Sequence, residues 1–91
     1  MKIVVFDTET TGLVDKSTTD IKNKPYIIQL SYVVFNSKTH ETIETFNNYI
    51  RLPNLDLISD KVTKITGITR EEVCESGIDI VDALLSFYKA Y

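Results

Sequence analysis

Apolar positions change their period along the chain. Ile3-Val4-Val5-Phe6 is a continuous run, and continuous rather than alternating apolarity predicts a central strand covered on both faces. Thr11-Gly12 closes the run, glycine being free to take backbone angles that other residues resist. Residues 14–25 are polar and end in Pro25, which predicts a loop. Tyr26 to Phe35 is rich in Ile, Val and Tyr and predicts a second strand. Asn36-Ser37-Lys38 is a turn signal. Thr42 to Ile50 predicts a third strand, with Ile43, Thr45, Asn47 and Tyr49 alternating against Glu44, Phe46, Asn48 and Ile50. Short connections make these strands antiparallel neighbours.

The second half follows a helical period. Ser59 is placed as the N-cap of a short helix carrying Val62 and Ile65, and Gly67 fits the position just past its end. Thr69-Arg70-Glu71-Glu72 pairs a cap with acids in the first turn, where they complement the helix dipole. From Ile78, apolar residues at Val81, Leu84, Leu85 and Tyr88 have the spacing of an amphipathic helix over 78–88. The pattern as a whole is α/β: three strands, then two or three helices. No internal repeat, low-complexity segment or interdomain linker interrupts it.

Composition adds bounds. Ninety-one residues suffice for one domain, and one of this size buries only about 60–65% of its unfolded surface. Hydrophobic residues make up 43% and charged residues 25%, with 3 glycines and 2 prolines, so the chain is neither disordered nor collagen-like. The net charge of −3 excludes a binder that works by a global basic field. It weighs less against a nuclease, whose acidic pocket becomes cationic once metal is bound. A single cysteine, Cys74, rules out an intramolecular disulfide and a four-thiolate zinc site. Its reading is a small hydrophobe. The expected setting is reducing and intracellular, either cytoplasmic or at a nucleoid or viral replication site. The N-terminal apolar run is too short for a signal peptide or a membrane span, so no membrane partner is expected.

The candidate chemistry sits at Asp7 and Glu9. Two apart on a strand, both carboxylates point to one face. Two anions held together beside an apolar strand repel each other and lose solvation; either one takes up a proton or a cation sits between them. Oxygen donors with no His or Cys beside them suit Mg²⁺ or Mn²⁺. The plainer reading is that Asp7 caps a turn and Glu9 is solvated. Lys61, Lys64 and Arg70 form a thin basic scatter, read as a solvated helix face more readily than as a phosphate contact.

The string Phe6-Asp7-Thr8-Glu9-Thr10-Thr11-Gly12-Leu13 closely resembles the first motif of the DnaQ-like, DEDD-type 3′–5′ exonucleases, which have a ribonuclease H-like, three-layer fold. Pro25-Tyr26-Ile27-Ile28-Gln29-Leu30-Ser31 resembles that family's second strand, Phe46-Asn47-Asn48-Tyr49-Ile50-Arg51 its third, and Ile65-Thr66-Gly67-Ile68-Thr69 its short helix and turn. The resemblance implies that residues 1–91 are the N-terminal part of a single exonuclease domain. It implies that Asp7 and Glu9 are catalytic, the first two acids of a four-acid, two-metal centre that hydrolyses the terminal phosphodiester and releases nucleoside 5′-monophosphates. Thr8, Thr10 and Leu13 match positions beside the 3′-terminal nucleotide, and Ile65 and Thr66 match the segment near its base. For Leu13 and Ile65, core packing is an equal reading.

The same resemblance calls for two further acids and a general base in later His/Asn-x-x-Phe-Asp-like and His-x-x-x-x-Asp-like (or Tyr-containing) segments. Neither segment occurs in this sequence, and the only histidine, His40, falls in a turn between strands, where a solvated loop residue is expected. The expectation is therefore a partial domain, inactive alone, with its metal site completed by residues absent from this chain. Expected partners are a single-stranded 3′ end of DNA or RNA and either a polymerase, as in proofreading, or the C-terminal half. The alternative is a non-catalytic nucleic-acid- or partner-binding module, or one half of a split exonuclease.

Overall fold

The three apolar segments of the first half pair into one antiparallel sheet in the order β1-β2-β3, where β1 is Lys2–Thr10, β2 Ile27–Asn36 and β3 Glu41–Tyr49. The structure, a computed structural model, describes residues 1–12 and 25–90. The loop expected over 14–25 and the position of Leu13 thus lie, except for Pro25, outside the described residues. The β2–β3 turn forms as its sequence dictates. Asn36 Oδ1 accepts from the backbone N–H of Lys38 at 2.9 Å and of Thr39 at 3.3 Å, and exposed His40 takes a left-handed φ of 60°.

β1 runs past its apolar residues to Thr10, so Asp7 and Glu9 lie inside the strand, opposite Ser31 and Gln29 of β2. Directly opposed residues share a face. Val4, Phe6 and Thr8 therefore stand with Val34, Tyr32 and Leu30, while Val5, Asp7 and Glu9 stand on the other face with Val33, Ser31 and Gln29. Double coverage of β1 is not met among the described residues. β1 is the sheet's edge here, and Val5 and Phe6 remain 62% and 60% exposed. The central strand is β2, which buries Leu30, Tyr32 and Val34.

The helices follow their caps. A 3-10 turn at Leu55–Leu57, unmarked by periodicity, begins where Asn54 Oδ1 accepts from Asp56 N at 2.9 Å. Helix α1, Asp60–Thr66, starts at Ser59, whose hydroxyl accepts from Val62 N, and ends at Gly67 with φ 78°. Helix α2, Arg70–Ser76, carries a capping box between Thr69 and Glu72. Glu72 also accepts a 2.7 Å hydrogen bond from the Tyr49 phenol, tying α2 to the end of β3. Cys74, read as a small hydrophobe, is exposed on α2. Before helix α3, Ile80–Ala90, Ile78 pairs with Ile50, donating its N–H to Tyr49 and accepting from Arg51.

Among the described residues, two clusters form the core. Leu30, Tyr32, Val34 and Ile50 pack with Ala83 and Ala90 of α3, and the Tyr32 ring stacks on Phe46 at 4.8 Å and meets Phe87 edge-on at 5.5 Å. The Tyr32 hydroxyl lies 2.6 Å from Ser86 Oγ, which satisfies it in the interior. A register shift between Glu9 and Thr10 leaves Ile28 unpaired with β1, and Ile28 buries instead with Leu52, Ile58, Ile68 and Val73. Each fully buried Ile or Val contributes about 1.5–3 kcal/mol, so these clusters carry most of the packing.

The apolar stripe read from the sequence of α3 faces outward. Val81, Leu84, Leu85 and Tyr88 are each about half exposed or more, while Ile80, Ala83, Phe87 and Ala90 meet the sheet. Both stripes have helical spacing, and the small Ala83 allows the closer approach. Among the described residues no helix is long and apolar enough to cross a membrane.

Candidate functional site

The end of β1 and the exposed flank of α1 enclose a cavity of about 230 Å³. Thr8, Glu9 and Thr10 line it from the strand, and Thr11 and Gly12 from the turn after it. Val62, Ile65 and Thr66 line it from α1. Four of the five positions expected to face a nucleotide, Thr8, Thr10, Ile65 and Thr66, are thus brought together. The fifth, Leu13, lies outside the described residues. Ile65 is 74% exposed, so core packing does not account for it, and it forms an apolar ledge across the space from Glu9.

Backbone geometry fixes these walls. The turn after β1 is clamped by paired bonds, Thr11 N to Tyr26 O at 2.9 Å and Tyr26 N to Thr11 Oγ1 at 3.0 Å. The Thr10 hydroxyl donates to Gly12 O at 2.8 Å. On the other wall, the Thr66 hydroxyl donates to Val62 O at 2.8 Å and accepts from Ile68 N at 3.1 Å. Its proton is thus used to close α1, which leaves the Thr66 hydroxyl only acceptor capacity.

Glu9 borders this cavity, and Asp7 borders a neighbouring one of about 350 Å³ on the open sheet face, with Ser31 and Asn47. The Asp7 carboxylate accepts from the Thr8 backbone N–H at 2.9 Å, which fixes one oxygen and leaves the other to solvent. Two carboxylates on one strand face, surrounded by hydroxyl and amide oxygens, match the donor chemistry of a hard divalent cation. No group of three or more His, Cys, Asp or Glu side chains forms among the described residues. Arg70, from the basic scatter, donates through Nε to Ile58 O at 2.7 Å and is held in that loop.

Sequence reasoning missed the polar row beside the acids. Asn47 Oδ1 accepts from Gln29 Nε2 at 2.8 Å and from Ser31 Oγ at 2.9 Å. Gln29 and Ser31 stand directly across from Glu9 and Asp7. Only the strand register reveals this, and the register carries shifts at Glu9/Thr10 and Val34/Phe35 that no spacing rule marks.

Solved structures share this fold. A full-length 3′-exonuclease superposes with TM-score 0.69 at 26% identity, over 94% of this chain and 27% of that one. A 3′-exonuclease that recognises the 3′ end of a histone mRNA stem-loop gives 0.71 at 26%, over 94% and 36%. The nuclease domain of a DEDDh-family 3′-exonuclease bound to rAMP gives 0.69 at 26%, over 97% and 42%. The chain therefore spans between 27% and 42% of the length of these structures. No curated protein matches it. The exonuclease family RNase T matches residues 4–90. Since that match runs from β1 through α3, the chain belongs to the RNase T exonuclease family and has the N-terminal part of its ribonuclease H-like fold.

Proposed function

We propose that these residues are the N-terminal part of a single exonuclease domain that hydrolyses the terminal phosphodiester at a single-stranded nucleic-acid 3′ end. The product is a nucleoside 5′-monophosphate. The observation that carries this reading is the shared cavity, which joins Glu9 and the backbone of β1 to the Ile65–Thr66 ledge of α1.

Asp7 and Glu9 are the catalytic residues and would hold Mg²⁺ or Mn²⁺. When bound, such ions supply the activation of water and neutralise charge on the phosphate and the leaving 3′ oxygen. Ile65 offers an apolar surface for the terminal base, and Thr8, Thr10 and Thr66 flank the sugar and phosphate. Leu13 belongs to the same proposed set. The match to a 3′-exonuclease bound to rAMP and to one that recognises an mRNA 3′ end supports RNA as a substrate, with DNA as the other. The proposed setting is intracellular.

The described residues hold no group of three or more acids, histidines or cysteines, which fits a site completed by groups outside them, on the same polypeptide or on a partner such as a polymerase or a separate C-terminal half. A two-metal centre requires more than two carboxylates to hold its geometry. The test compares 3′ trimming of labelled single-stranded DNA and RNA, in a Mg²⁺ and Mn²⁺ titration, by the 91-residue chain and by the longest natural reading frame that contains it. Metal-dependent release of 5′-monophosphates by the longer protein, and none by the short chain, is the expected result. Robust trimming by the pure short chain would show that Asp7 and Glu9 suffice, and would overturn the half-site reading.

A further inference from the structure

Asp7, Ser31 and Asn47 form one row across the sheet. Asp7 is opposite Ser31 on β2, Ser31 is opposite Asn47 on β3, and all three line the same open cavity. A serine hydroxyl has one proton to donate and two lone pairs, whereas a carboxylate only accepts. The proton of Ser31 is directed to Asn47 Oδ1. Gln29 donates to the same oxygen from a second direction, which keeps the Asn47 amide from turning its nitrogen to Ser31. Ser31 therefore presents lone pairs, not a proton, to its neighbour Asp7.

Two acceptors side by side on paired strands gain nothing from each other. A donor between them satisfies both. Water bound to a divalent cation is such a donor, because the cation polarises its O–H bonds outward. Were Asn47 unable to accept, the Ser31 hydroxyl would be free to turn and donate to Asp7, occupying a lone pair that a cation needs.

On the reading of Asp7 as a cation ligand, we propose that Ser31 is an outer-sphere partner of a divalent cation at Asp7. It accepts a hydrogen bond from cation-bound water, and Asn47 is the positioning residue that sets its proton. Groups in this outer position commonly change metal affinity by about 10–100-fold when removed.

The test is Mn²⁺ affinity of the longest natural reading frame that contains these residues, read from the free-ion electron paramagnetic resonance signal, with circular dichroism to verify folding. Ser31→Ala and Asn47→Ala are expected to weaken binding by about ten-fold or more. Ser31→Thr keeps the hydroxyl and Asn47→Asp keeps an oxygen acceptor at the same place, so both should retain or exceed wild-type affinity. Asp7→Asn should abolish the site. If Asp7→Asn loses Mn²⁺ while Ser31→Ala and Asn47→Ala bind like wild type, the outer-sphere role is wrong and the Asp7 assignment stands. If Asp7→Asn binds Mn²⁺ like wild type, the Asp7 assignment is itself wrong, and the role of Ser31 falls with it.

Discussion

The Tyr49 phenol donates a 2.7 Å hydrogen bond to Oε2 of Glu72, whose other oxygen accepts from the backbone and side chain of Thr69. One carboxylate thus caps α2 and fastens it to the strand that ends beside the candidate site. The Tyr49 bond, then those of Thr69, hold the Glu72 carboxyl below the usual glutamate range. The bond to Glu72, with burial and the Glu72 charge, pushes the Tyr49 phenol up. Glu72 then contributes stability that is complete above its unfolded pKa and lost as pH falls through the lower native value. The Tyr49 contribution is complete below the unfolded tyrosine pKa and lost as pH rises through the higher native one. Tyr49→Phe should flatten the alkaline limb and shrink the acid limb of stability, as measured by urea midpoints across pH. An unchanged pH profile would mean that the tie does not form in solution.

Gly77 is held by space, not by backbone angle. A Cβ there would come within 3.1 Å of the Arg51 Cα and 3.0 Å of its nitrogen, and closer still to the Val73 carbonyl. The Arg51 backbone is held by its bond to the Ile78 carbonyl and the Val73 carbonyl by the bond it accepts from Gly77 at the end of α2, so these atoms yield only if those bonds loosen. Gly77→Ala should destabilise the chain by about 1–3 kcal/mol, lowering Tm by roughly 4–8 °C per kcal/mol. An unchanged Tm would contradict the close approach.

Ile65 separates stability from binding. Exposed at 74%, it can be replaced by alanine with a stability change within about 0.5 kcal/mol. If it serves as a ledge for a base, the same change should cost about 1–2 kcal/mol of nucleotide affinity. A chemical-shift titration with a nucleoside 5′-monophosphate, run beside thermal unfolding, reads both. Equal affinity in wild type and variant would remove Ile65 from the site.

The outward stripe of α3 and the open strand β1 predict association. Leu84, Leu85 and Tyr88 on the helix, with Val5 and Phe6 on the strand, leave large apolar side chains in water, and unpaired strand edges recruit partners. The 10.4 kDa chain should elute above its monomer mass in gel filtration at tens of micromolar, and Leu84→Lys with Leu85→Lys should shift it toward monomer without loss of helix. A sharp monomer peak with cooperative unfolding would contradict the partial-domain reading.

Local chemistry was legible in the sequence where the physics is local. Ser59, Gly67 and the Thr69–Glu72 pair mark helix ends because caps depend on residues within one turn of each other. The shared face of Asp7 and Glu9 follows from strand alternation alone. The face that α3 buries did not follow, because Ile80, Ala83, Phe87 and Ala90 repeat with the same period as Val81, Leu84, Leu85 and Tyr88, and only the sheet selects between them. Double coverage of Ile3–Phe6 required a neighbour on each side, and these residues supply α3 alone. The Ser31–Asn47–Gln29 row depends on register between β2 and β3, which the shift at Val34/Phe35 makes unreadable from spacing.

The most direct test of Asp7 and Glu9 as catalytic metal ligands is the release of nucleoside 5′-monophosphates from a single-stranded 3′ end by the longest natural reading frame containing these residues. The comparison is between the wild-type protein and its Asp7→Asn/Glu9→Gln double variant in saturating Mg²⁺. Metal ligation by the pair predicts Mg²⁺-dependent release by the wild type and at least about a thousand-fold less by the variant, the loss of several kcal/mol of transition-state stabilisation. Wild-type turnover by the double variant would contradict it.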